Sequence, residues 1–233
     1  MLTSFFWTGD TIRSRAVSTT ILTTTLAIPE PPPALLADWR RETTTRLELK
    51  PGDVEVMPLA RTQARWSDYR GCVRAMIDWT TSLALPDVLA QSDIALMACR
   101  GARYHHDAEQ YGSAAFCNLF LSEDKVLDLH FPHANRRIPL TRGTAVIFDT
   151  GQPHAVIPRN SNAFHLADFA PRLDYDQIFL TWELPIENAH VAQALNIIFD
   201  TDELSARQLT DEQLWLDGAP VEPCPQTGHW QAA

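Results

Sequence analysis

Between Asp93 and Pro185 the chain breaks into short apolar segments, IALMACR, RYHHD, AAFCNLFLS, KVLDLHF, RRIPL, GTAVIFD, HAVIP, AFHLADFA and QIFLTWE, separated by turn-forming residues. This texture predicts many short β-strands in a sandwich or barrel, not the strand and helix alternation of a parallel sheet. Upstream, Cys72, Val73, Met76, Ile77 and Trp79 to Leu83 recur at helical spacing. They predict an amphipathic helix within Trp66 to Leu85, stopped by Pro86 and backing the sheet. RLELKPGDVEVMPL (Arg46 to Leu59) alternates around Pro51-Gly52-Asp53 and reads as a hairpin. The first 40 residues are Thr-rich and end in Pro29, Pro31, Pro32 and Pro33, a cluster that predicts either a boundary or an arm across the surface. After Pro185, the apolar residues of Glu187 to Phe199 suit a helix, and the last 30 residues read as an irregular tail.

Composition narrows the setting. A chain of 233 residues with 45% hydrophobic and 21% charged side chains is expected to form one folded domain. Its core would span about 93–185, between a flank of 1–92 and a helix and tail of 186–233. A net charge of −10 repels a phosphate backbone, so nucleic acid is not an expected partner. The four cysteines, Cys72, Cys99, Cys117 and Cys224, lack CxxC spacing and read as reduced thiols of a cytoplasmic protein. No apolar run approaches the roughly 20 residues of a membrane span, and charged residues interrupt Met1 to Thr25 where a signal peptide needs an apolar stretch.

In Tyr104-His105-His106-Asp107, a β conformation would place His105 and Asp107 on one face with His106 on the other. About one such pairing of an acid two places after a histidine is expected by chance in a chain with 8 histidines and 29 acids, so the motif needs a second segment. Gly143 to Asp149 supplies it as a buried strand, followed by a tight loop and by His154 opening the next strand. In a jelly roll that strand can return beside the first and complete a three-donor set. Two imidazoles and one carboxylate suit Fe(II) and leave coordination positions open for O₂ and co-substrate.

At these residues the sequence resembles the 2-oxoglutarate and Fe(II)-dependent oxygenases, through His105-x-Asp107 and the GTAVIFDTGQPHAV run, over about Asp93 to Phe169. The resemblance implies a mainly β fold with flanking helices, a double-stranded β-helix of the jelly-roll, cupin-like type. It implies that His105, Asp107 and His154 bind Fe(II), and that 2-oxoglutarate is consumed as a small-molecule or protein substrate is hydroxylated. The family also carries an Arg or Lys about ten positions after the distal histidine, to pair with the far carboxylate of 2-oxoglutarate. Here that stretch reads Asn162-Ala163-Phe164-His165, so Arg159 or His165 would have to substitute, with Asn118 as a further amide donor. Arg100 and Arg103 could face an anionic substrate, and His130 and His133 read first as loop residues. The missing basic residue keeps open a cupin-like dioxygenase or isomerase without 2-oxoglutarate. A jelly-roll binding module that keeps its ligand residues as relics, and a homodimer built through the flanks, also stay open.

Overall fold

The computed structural model describes residues 1–170 and 172–233. The N-terminal segment is not a surface arm. It forms strands β1 (Leu2–Thr8), β2 (Thr11–Ala16) and β3 (Ile21–Thr25), and Phe5 and Phe6 are fully buried. The proline cluster then opens helix α1 (Pro33–Arg41), with Pro33 in the first turn, where a missing N–H costs nothing. The expected hairpin at Arg46 to Leu59 is a single strand, β4 (Val54–Met57), because Leu47 and Leu49 pack against the helical core instead of pairing. Helices α2 (Leu59–Arg65) and α3 (Tyr69–Ser82) follow, and α3 buries Tyr69, Cys72, Met76 and Thr80 along one stripe.

The central block runs β5 (Ile94–Arg100), β6 (Ala102–His105), the short helix α4 (Ala108–Tyr111), β7 (Ala114–Phe120), β8 (Leu127–Phe131), β9 (Arg136–Pro139), β10 (Thr144–Asp149), β11 (His154–Pro158) and β12 (Asp176–Pro185). AFHLADFA, expected as a strand, holds only a tight helical turn at Leu166–Asp168. Its aromatic residues are apolar for another reason: Phe164 and Phe169 stack with ring centroids 5.3 Å apart and join the inner core. Helices α5 (Ala189–Leu195) and α6 (Glu203–Ala206) lead into β13 (Gln213–Leu216), β14 (Ala219–Pro223) and β15 (Trp230–Ala232). The C-terminus is therefore not an irregular tail. β13 pairs with β1, and Leu214 and Val221 are buried.

The strands form a six-stranded sheet ordered β3-β10-β7-β12-β5-β4 and a four-stranded sheet ordered β6-β11-β8-β9. From β5 to β12 the chain passes back and forth between these two antiparallel sheets, with the β8/β9 hairpin as the one pair of successive strands kept in the same sheet, which is the winding of a double-stranded β-helix. A third sheet, β15-β14-β13-β1-β2, joins the two ends of the chain. β10 shows why the central strands read as unbroken apolar runs. Ala145 and Ile147 face the helices, Val146 and Phe148 face the second sheet, and all six residues are buried.

Among the described residues the cysteines form no disulfide. Burial pushes the thiols of Cys72 and Cys99 up to about 12 and raises that of Cys117 as well. Cys224 lies nearer the surface, and hydrogen bonding by Thr227 and Gln226 lowers its pKa. A thiolate reagent such as Ellman's is expected to label Cys224 alone in the native protein and all four thiols after denaturation. Rapid labelling of more than one thiol in the folded state contradicts this packing.

Candidate metal centre and cavity

His154 and His105 stand directly opposite each other across the β11/β6 pair. The next pair in the ladder is Val156 with Ala102, so three steps along β6 match two along β11. That bulge has a consequence for the site. Strict alternation would send Ala102 and His105 to opposite faces, and the extra residue lets both line the interior. Gly101, which turns the chain from β5 into β6, has φ +64°, and a Cβ there would overlap the ring of Phe169.

Asp107 joins the histidines by a different route from the one its spacing suggests. β6 ends at His105, and Asp107 stands just before α4, its backbone N–H donating to the Thr150 carbonyl at 2.8 Å. The Thr150 hydroxyl donates in turn to the Tyr111 and Ala114 carbonyls. These bonds tie the loop carrying Asp107 to the loop that precedes His154.

The resulting triad is compact. Nε2 of His105 lies 3.8 Å from Asp107 Oδ1, Nε2 of His154 lies 3.6 Å from Asp107 Oδ2, and the two imidazole centroids are 4.4 Å apart. One donor atom from each residue lies within 4.8 Å of the others. Bonds of about 2.1 Å at right angles would bring donors roughly 3 Å apart, so only a slight contraction is needed to share an ion. Nδ1 of His105 is 2.7 Å from the Arg103 carbonyl, and Nδ1 of His154 is 3.0 Å from that of Gln152. A carbonyl oxygen only accepts, so both Nδ1 atoms carry the proton and both Nε2 lone pairs are free to ligate. Asp107 Oδ2 is buried without a hydrogen-bond partner. Burial raises the Asp107 carboxyl against the pull of His105 and His106, while burial and the neighbouring His105 hold His154 well below the usual histidine range. The raised Asp107 is a desolvated acid lacking a counter-charge, and the lowered His154 keeps its imidazole neutral, with a lone pair to donate. The donor set fits Fe(II).

The triad faces a cavity of about 460 Å³ between the two sheets. Its walls include Met97, Phe116, Phe120, Leu129, Phe148 and Phe179, with polar groups from Gln110, Tyr111, Asn118 and Thr181. Val54 and Val56 of edge strand β4 also line it and are 39% and 63% exposed, so the cavity reaches solvent along that edge. Asn118 and Thr181 are direct neighbours across the β7/β12 pair, and Asn118 Oδ1 is buried without a partner.

The other expected site residues lie elsewhere. Arg159 is not on the cavity; its guanidinium bonds Asp128 and Asp124, each at 2.9 Å. His165 is exposed, ahead of the Leu166–Asp168 turn. Arg100 is tied to Asp176 at 2.9 Å and to the Ala170 and Leu173 carbonyls. Arg103 lies against Phe164, 6.0 Å from its ring centroid. His130 is a strand residue, 2.5 Å from the Tyr104 hydroxyl, and His133 bonds the Gly228 carbonyl, so neither lines the cavity. Among the described residues no Lys or Arg lines the cavity. The far carboxylate of 2-oxoglutarate therefore finds no cation here, and the residues that fit the metal do not fit that end of the co-substrate.

Spacing did not bring Tyr111, Thr181 or Glu183 to notice. The available signal was the period of β12, where Phe179, Thr181 and Glu183 alternate with core residues, so two polar side chains face an apolar interior.

Fold and site together define a jelly-roll protein in which two histidines and one carboxylate stand close enough that they could hold a metal ion. No family model matches the chain, and no curated protein matches it. Among solved structures, it is similar to the viral collagen prolyl hydroxylase of Paramecium bursaria chlorella virus 1 at 10% identity and TM-score 0.43, covering 71% of this chain and 89% of that one. It is also similar to EvdO2 from Micromonospora carbonacea at 12% identity and TM-score 0.40, covering 71% and 86%. A third is a prolyl hydroxylase from Trichoplax adhaerens in complex with a peptide from hypoxia inducible factor, at 12% identity and TM-score 0.38, covering 74% and 86%. These are likenesses of overall shape; strand order and the three donors carry the functional argument.

Proposed function

We propose that this protein is a mononuclear ferrous oxygenase that oxidises an organic substrate held in the cavity between its two sheets. The observation that carries this reading is the triad itself: His105, Asp107 and His154 converge with both Nε2 atoms free and one carboxylate oxygen unpartnered. Bound Fe(II) would supply O₂ activation. The protein holds the imidazoles in the ligating tautomer and offers apolar walls that limit water around the reacting group. The sequence resemblance implies 2-oxoglutarate as co-substrate and hydroxylation of a small molecule or protein side chain, with release of succinate and CO₂. A second reading, a cupin-like metal-dependent dioxygenase or isomerase without 2-oxoglutarate, is favoured by the lack of Lys or Arg among the described cavity residues.

Anaerobic titration tests both. The proposal predicts uptake of one Fe(II) per chain, and a protein that takes up no stoichiometric iron refutes it. Adding 2-oxoglutarate then separates the readings: a weak visible charge-transfer band supports the first, and bound iron without that band supports the second.

A further inference from the structure

The cavity is unbalanced in charge. Its lining includes the carboxylates of Glu55, Asp107 and Glu183, with no Lys or Arg among the described residues. Asp107 belongs to the triad, and Glu55 is exposed on edge strand β4. Glu183 is the unexplained one. It faces inward on β12, in phase with Thr181 and Phe179, and is half-buried. Its backbone N–H bonds the Asp93 carbonyl, but among the described residues its carboxylate has no ion pair or hydrogen bond. Burial and the neighbouring Asp93 both raise its pKa, the direction of an acid lacking a counter-charge.

What surrounds Glu183 is aromatic. Phe116 is its direct partner across the β7/β12 pair, and Tyr111 packs edge-on against Phe116 with centroids 5.0 Å apart. Burial raises the Tyr111 phenol, and the nearby carboxylates of Glu183 and Asp107 add to that rise. All three line the cavity at the end of β7 and β12 nearer α4, the helix that follows Asp107. One carboxylate beside two aromatic rings complements a desolvated organic cation, by charge and by the negative faces of the rings. One rung deeper, Asn118 and Thr181 offer neutral polar contacts to the remainder of such a ligand.

We propose that Glu183, Tyr111 and Phe116 form an ammonium subsite, and that the substrate of this cavity carries an amine or quaternary ammonium group. The inference names the substrate class of the metal centre and rests on that reading for its chemistry, but not for its binding. The net charge of −10 acts in the same direction, favouring the approach of cations to the protein.

The test is calorimetric or saturation-transfer binding of hexylammonium and benzyltrimethylammonium, with hexanoate and hexanol as probes of similar shape, to protein loaded anaerobically with Fe(II) and to the metal-free protein. The ammonium probes are expected to bind and hexanoate not to. Glu183→Gln is expected to weaken ammonium binding about ten-fold or more, with Fe(II) stoichiometry and melting temperature unchanged. Tyr111→Leu, which keeps the carboxylate, should weaken binding of the quaternary probe. Glu203→Gln, on an exposed helix away from the cavity, should leave it unaltered. Equal ammonium affinity in wild type and Glu183→Gln, no ammonium binding by wild type, or equally tight binding of hexanoate overturns the proposal. Failure of the metal reading shows separately, as absent Fe(II) uptake beside intact ammonium binding.

Discussion

Asp107→Ala is expected to abolish stoichiometric Fe(II) uptake without loosening the fold. The carboxylate is the only acid of the triad and supplies the negative charge that two neutral imidazoles lack. Removing a partner outside the coordination sphere costs metal sites about 10–100-fold in affinity, and removing a ligand should exceed that. The stability half of the expectation is the sharper one. In the metal-free protein Asp107 is a desolvated carboxylate with an orphaned oxygen, and burial has raised its pKa. Deleting it relieves that strain, so the apoprotein should melt at the same temperature as wild type or above it. Metal content after anaerobic loading and a thermal melt of the apoprotein check the two halves. Wild-type iron stoichiometry in the variant would remove Asp107 from the ligand set.

Arg15→Ala is expected to destabilise the protein by about 3–5 kcal/mol, the usual cost of stranding one member of a buried ion pair. Arg15 and Asp149 are both fully buried, joined through two bonds of 2.5 and 2.8 Å. Asp149 also accepts from the Ser18 and Gly151 backbone N–H groups, and Arg15 Nε donates to the Gly112 carbonyl. Loss of the guanidinium leaves the Asp149 carboxylate buried against an empty volume, and both defects add to the cost. Asp149 ends β10, and the loop after it delivers His154, so Fe(II) affinity should fall with stability. Urea unfolding gives the stability change. The double variant Arg15→Met/Asp149→Leu, which removes both charges, should recover much of the loss. A single variant that costs less than about 1 kcal/mol would show that this pair does not secure the loop.

The parts of this architecture legible in the sequence share one property: they are set by neighbours along the chain. β10 and β11 were visible because burial on both faces leaves an apolar run bounded by Gly143 and the Thr150 to Pro153 loop. Helix α3 was visible because its buried residues repeat at helical period. His105 and Asp107 were visible as a pair, although the spacing suggested a shared strand face, whereas a bulge in β6 and the turn before α4 bring them together. Partners far along the chain left no such trace. The sequence does not show that Leu2–Thr8 pairs with Gln213–Leu216, which turns an apparent arm and an apparent tail into one sheet. Nor does it show that Arg15 seeks Asp149, or that Arg159 is already engaged by Asp124 and Asp128.

By itself, then, the sequence determined the strand-rich core and the three candidate donors, because side-chain alternation and turn chemistry act within a few residues. Only the tertiary structure decided which arginines are committed elsewhere, that the cavity carries carboxylates with no facing Lys or Arg among the described residues, and that Glu183 lies beside Phe116 and Tyr111. Charge balance in a cavity depends on which side chains meet across strands, and pairing between distant strands is settled by packing of the whole chain and not by local spacing.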